Sequence, residues 1–271
     1  MTKLEYTFKT DTLFKILFVQ HPDLLKQLVS ELLCIKLESI EQFVVTNPEM
    51  TSEGFGEKFC RLDINMTVNE QRVDLEIQVR NEGDYPERVL FHWAREYSSA
   101  LPEGGDYLDL PRAVIISIIN FNLFNCTEFH SEFQPLEVTR HTLLTDKMSL
   151  HFFELQKLPT NVSSDNMLLL WLSLFKADTE EELEKIKAME VPVMKQAINA
   201  YHRITVSPEF KELEKMRSIA RHNEAAALRH ARNEERKLAD TEWQSVVADK
   251  DAKLADKEAE IARLREQLGK K

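Results

Sequence analysis

Two short runs, residues 61–68 and 72–80, alternate strictly between apolar and polar side chains. Leu62, Ile64, Met66 and Val68 line one side of the first; Val73, Leu75, Ile77 and Val79 line the same side of the second. A period of two marks half-buried strands, and the polar link Asn69-Glu70-Gln71 predicts a hairpin. With Asn69-Glu70 as a two-residue turn, Val68 faces Gln71 and Asp63 faces Glu76 on the polar side, their β-carbons about 4.5–5.5 Å apart. Gln78 follows Glu76 by two residues and points the same way.

Around the hairpin the period changes. Leu13, Phe14, Leu17 and Phe18 give a helix capped by Thr10 or Asp11, and Leu24, Leu25, Leu28, Val29 and Leu32 give a second over 22–33. Residues 40–46 read as a first strand and 47–58 as a loop containing Gly54 and Gly56. An amphipathic helix is expected over 85–101. The nearly continuous apolar, β-branched run at 112–120 suits a strand buried on both faces. Alternation over 129–153 extends the sheet, and from 166 onward the chain reads as helical, interrupted at Pro192 and Pro208. The last thirty residues are rich in Ala, Lys, Glu, Asp and Arg. There Val247, Leu254, Ile261 and Leu268 recur every seven residues, but their companions Lys250, Lys257, Leu264 and Lys271 make a poor seam. A single charged helix and a weak coiled coil both remain open for this tail.

Charge complicates the picture. The net charge is −11, and residues 1–130 hold 12 Lys and Arg against 21 Asp and Glu. Acidity of this kind keeps a protein dispersed, whereas phosphate contacts need Lys and Arg. A nucleic-acid role therefore requires a local basic groove or cations that neutralise the acidic centre. Cys34, Cys60 and Cys126 are odd in number and widely spaced, which predicts buried free thiols in a reducing compartment. No apolar run is long enough to span a bilayer, and a cytoplasmic location without membrane contact is expected. The eight His form no metal-binding pattern, and no Walker loop, G-x-S-x-G or dinucleotide fingerprint calls for an organic cofactor.

Like charges directly opposite one another destabilise a sheet. Asp63 facing Glu76 therefore implies something positive between them, and a divalent metal is the obvious candidate. The plain alternative is a solvated polar sheet face. Asp11 and Lys15, four apart on the first helix, could form an ordinary ion pair. Asp74 shares the face of Glu76 but should sit beside Asn65, away from the metal.

The hairpin resembles that of the PD-(D/E)xK nuclease superfamily. Within it, Asp63 with Glu76-x-Gln78 is similar to the bacterial recombination-promoting nuclease (Rpn), transposase-like group, where Glu-x-Gln replaces Glu-x-Lys. The likeness includes Asp11, Phe14-Lys15 and Phe18; Asn47-Pro48-Glu49 and Lys58; Arg88 and Tyr97; Gly105-x-Tyr107; Phe121 and Phe124; Phe153-Glu154-Leu155-x-Lys157; and Trp171. It covers roughly residues 1–210.

The resemblance implies an α/β fold with a restriction-endonuclease-like core, a mixed central sheet flanked by helices, and a helical C-terminal extension. The expected division is 1–160 for the nuclease-like domain, 161–242 for a helical region and 243–271 for the charged tail. The implied activity is metal-dependent endonucleolytic hydrolysis of DNA with Mg²⁺ or Mn²⁺. Asp63, Glu76 and the carbonyl of Ile77 would hold the metal, with Asp11 in water-mediated contact. Gln78 is neutral and would orient water, leaving Lys15 to supply the missing positive charge. Arg88 could contact phosphate or pair with the acidic site, and Tyr97 could contact a sugar or base or simply lie in the core. A homodimer stays open. The rival readings are a nuclease-like scaffold, degenerate at Gln78, that binds partners through its C-terminal helices, and a nucleic-acid or protein-binding module on the same fold.

Overall fold

A computed structural model of the protein describes residues 2–47, 64–101 and 103–269. The chain opens with α1 (Asp11–Gln20) and α2 (Pro22–Leu32), the latter started by a proline at its first turn, where the missing N–H costs nothing. Strands β1 (Phe43–Val45), β2 (Ile64–Val68) and β3 (Gln71–Gln78) follow, then α3 (Tyr85–Ser99) and β4 (Ala113–Ile119). After β5 (His130–Phe133) and β6 (Met148–Glu154) come α4 (Met167–Lys176), α5 (Glu180–Lys187), α6 (Pro192–Val206) and α7 (Pro208–Gly269). Pro192 and Pro208 thus begin helices; they are not breaks within one.

The sheet runs β1-β2-β3-β4-β6-β5. β1, β2 and β3 pair antiparallel, β3, β4 and β6 parallel, and β5 returns antiparallel on β6. This is a mixed sheet of the expected α/β kind, and β4 at its centre is buried at every position. The hairpin register is the one its alternation demands, from Val68 opposite Gln71 to Ile64 opposite Leu75, with Asn65 opposite Asp74. Asn69 and Glu70 both take positive φ, 46° and 68°, the signature of the tight turn whose twist matches the strands. Asn69 also accepts from the N–H groups of Glu41 and Gln42 and donates to the Ser39 carbonyl, fastening the turn to the segment before β1.

The two faces of the sheet carry different cores. Val73, Leu75, Val114, Ile116, Ile118 and Phe153 pack against α1, α2, α4 and α6 in the larger one. Ile115, Ile119, Leu150 and Phe152 meet Tyr85 and Val89 of α3 in the smaller. Arg72 Nη1 donates to the Glu96 carbonyl and Ser99 Oγ, and Trp93 Nε1 to the Ala113 carbonyl. These bonds lay α3 along β3 in the opposite direction, its first turn near Glu76 and its last near Arg72.

Met1–Glu212 forms one compact unit, so α4, α5 and α6 share the core of the sheet; Leu213–Lys271 forms a second. The second unit is one uninterrupted helical segment whose Val247, Leu254, Ile261 and Leu264 are exposed. Among the described residues no helix is long and apolar enough to cross a membrane. The cysteines differ from expectation: Cys34 and Cys126 are free but exposed. Cys34 adopts a positive φ of 53° just past the end of α2, and Cys126 lies in the turn region after β4, so neither belongs to the apolar run beside it. Cys60 lies outside the described residues. Val79 is also exposed, because β3 ends at Gln78 before the apolar alternation does.

Candidate active site

Glu76 sits near the C-terminal end of β3 and is only 3% exposed. The solvated-face alternative therefore fails for this carboxylate. Alternation turns it away from the larger core and toward α3, along with Asp74 and Gln78. Two hydroxyls converge on one of its oxygens: Tyr85 Oη donates to Oε1, and so does Ser117 Oγ at 3.1 Å. Ser117 stands directly across from Glu76 in the β3–β4 register, and Tyr85 opens α3. Burial first, and then the Glu76 carboxylate, push the Tyr85 phenol well above its ordinary pKa, which keeps it a hydrogen-bond donor.

Arg88, one turn along α3, spreads its guanidinium over the Tyr85 ring at 4.9 Å from the centroid. Its Nη1 pairs with Glu82 Oε2 at 2.7 Å. Its Nε and Nη2 are buried and have no hydrogen-bond partner among the described residues. Arg88 thus belongs to the Glu76 cluster, with an ion pair to Glu82 and two further donors left over. A planar guanidinium of this kind matches phosphate oxygens.

The other expected residues are placed as follows. Asp63 lies outside the described residues, as do Pro48, Glu49 and Lys58. Gln78 ends β3, half-buried, its Nε2 donating to the Arg80 carbonyl at 2.9 Å. Ile77 turns its side chain into the larger core, leaving only its backbone for a role at the site. Asp74 is buried beside Asn65, as its register requires. Lys15 is 2% exposed, and its Nζ donates to the Asn47 carbonyl at 2.5 Å; Asp11 lies one turn earlier, at the start of α1. Tyr97 stacks on Trp93 at 5.0 Å, twelve residues beyond Tyr85 and so about 18 Å along α3. It is not brought to Glu76.

Glu154, on β6, is another buried carboxylate. Glu154 pairs in register with Ile119, which pairs with Gln78. It accepts from the N–H groups of Leu123 and Phe124 and from Lys157 Nζ, at 2.6, 3.3 and 2.6 Å. This is a structural tie, holding the chain after β4. Among the described residues no three His, Cys, Asp or Glu gather into a metal cage; of the carboxylates expected to hold a metal, Glu76 and Asp11 are the ones described. Tyr85 and Ser117 were not anticipated from the sequence. Ser117 had a signal: it is the one polar residue in the run Ala113–Ile119.

A mixed α/β sheet with a buried, hydroxyl-anchored carboxylate on the second strand of its hairpin is consistent with a PD-(D/E)xK nuclease-like protein. The family model for PD-(D/E)XK nuclease family transposases matches residues 8–231, and the chain belongs to that family. The match reaches past the expected stretch into α7. No curated protein and no solved structure matches the chain.

Proposed function

We propose that the protein is a divalent-metal-dependent DNA endonuclease of the recombination-promoting kind, acting in the cytoplasm. The observation that carries this reading is the buried Glu76 carboxylate, fixed by two hydroxyls and flanked by an arginine with open donors, in a chain of a nuclease family. The donor chemistry fits Mg²⁺ or Mn²⁺, which take carboxylate and carbonyl oxygens: Asp63, Glu76 and the Ile77 carbonyl would hold the ion, with Asp11 behind a water. Such an ion supplies Lewis acidity at the scissile phosphate and a more acidic water.

The chain's own residues do the rest. Gln78 orients the attacking water by hydrogen bonding, since an amide cannot take its proton. Arg88 places a guanidinium suited to phosphate oxygens beside the Tyr85–Glu76 pair. Lys15 supplies the positive charge that the superfamily's lysine gives elsewhere, and Tyr97 contacts the sugar or base of a more distant nucleotide. With an acidic chain, DNA binding rests on this local basic group and on the metal. Assembly as a homodimer is compatible with this scheme.

Gln78 in place of lysine favours one other reading, a scaffold that binds without cutting. Plasmid nicking separates the two. Cleavage should require Mg²⁺ or Mn²⁺ and vanish in Asp63→Ala and Glu76→Ala, with Gln78→Ala weakened less. Cleavage that persists in excess chelator, or an inert wild-type protein that still binds DNA, would overturn the proposal.

A further inference from the structure

We propose that Tyr85, helped by Ser117, is a positioning residue that couples the cation-binding carboxylate to the phosphate-binding guanidinium. Its hydroxyl orients Glu76 and its ring carries Arg88. This rests on the metal-dependent reading above and adds the residues that prepare the site.

Tyr85 is wholly buried. The edges of Phe121 and Phe152 meet its ring, with centroids 5.8 and 6.2 Å away and interplanar angles of 84° and 77°. Ile115 and Ile119 pack in the same cluster. A phenol held on these sides cannot swing, so its hydroxyl is a fixed point. Ser117 is fixed separately, by the parallel register of β3 and β4. Two donors from different elements on one oxygen restrain both the position of a carboxylate and the rotation of its plane. Outer-shell bonds of this sort typically carry 10–100-fold in metal affinity.

The same ring supports Arg88. Glu82 restrains one end of the guanidinium, and the Tyr85 face restrains its plane. The hydroxyl and the face are chemically separable, so two substitutions at one position distinguish them. Tyr85→Phe removes the bond to Glu76 and keeps the face. Tyr85→Leu removes both.

The test uses the full-length protein with two readouts: Mn²⁺ alone, titrated by electron paramagnetic resonance of the free ion, and a DNA duplex bound in chelator. Tyr85→Phe should weaken Mn²⁺ binding about 10–100-fold and leave metal-free DNA binding unchanged. Ser117→Ala should do the same to a smaller degree. Tyr85→Leu should weaken both, the DNA arm by about 2–5-fold for a lost cation–π contact. In a Glu76→Gln background, Tyr85→Phe should have no further effect on Mn²⁺. Wild-type Mn²⁺ binding no better than that of Glu76→Gln would overturn the metal reading together with this proposal. Tight wild-type binding matched within twofold by both Tyr85→Phe and Ser117→Ala would overturn the positioning role alone. Equal losses in both readouts, accompanied by a lowered melting temperature in Tyr85→Phe and Ser117→Ala, would reduce Tyr85 to a packing residue and likewise overturn it.

Discussion

Replacing Glu154 by leucine removes the acceptor of three hydrogen bonds from a position with no solvent access. Lys157, whose side chain is 9% exposed, loses its counter-charge and keeps only the Phe124 carbonyl and Cys126 Sγ. Breaking a buried ion pair from one side costs about 3–5 kcal/mol. Each stranded N–H adds about 1–3 kcal/mol when it stays dry, but the terms share one site and do not add. The expected loss is about 4 kcal/mol, a large part of a typical 5–15 kcal/mol stability. Glu154→Gln retains an oxygen for the two backbone donors and should lose about half as much. Urea unfolding followed by tryptophan fluorescence suits the measurement, because Trp171 is buried while Trp243 is exposed in the tail. With a slope of about 2 kcal/mol/M, the midpoint of Glu154→Leu should fall by about 2 M. Adding Lys157→Met should recover part of the loss, since a matched apolar pair leaves no buried charge. A loss under about 1 kcal/mol for Glu154→Leu would mean that the carboxylate is solvated or dispensable.

Acid should destabilise the fold below neutrality. Burial is the main cause that brings His151 from 6.5 down to about 4, opposed by Glu132 and reinforced by His130 and Arg112. The unfolded chain therefore binds more protons between these values. The stability is complete above about pH 6.5 and is lost progressively toward pH 4, by up to about 3 kcal/mol; urea midpoints at pH 7.5 and 5.0 that coincide would contradict this. His151→Gln should flatten that slope. Gln78→Lys should raise nicking by well under the ~100-fold a new proton-transfer group can bring if Lys15 already supplies the charge, and a larger gain would remove Lys15 from the scheme. Deleting residues 243–271 should leave metal-dependent nicking intact, since the family match ends at residue 231; a folded but inactive truncation would show that the tail completes the site or an obligatory dimer.

Whatever depends on local period and turn chemistry was legible in the chain alone. Alternation and a two-residue polar turn were enough to set the β2–β3 register, because a one-residue slip would move every apolar side chain to the wrong face. The apolar run of β4 announced its burial on both faces in the same way. Helix existence was equally legible, although Pro192 and Pro208 proved to start helices, a role that a fixed φ and a missing N–H suit. Exposure at sites flanking an element was not legible. Cys34 and Val79 look buried by their neighbours, yet the element ends one or two residues too early.

The surroundings of Glu76 follow from packing and from no local pattern. Nine residues separate it from Tyr85 and forty-one from Ser117, and no local pattern relates them. Their meeting depends on β4 pairing parallel to β3 and on α3 lying back across the sheet, pinned by Arg72 and Trp93. The same docking turns a strand face that reads as polar and solvated into a buried one. Period is a property of neighbouring residues, so the chain states it directly. Convergence is a property of packed elements, and it exists only once the hydrophobic effect has brought them together.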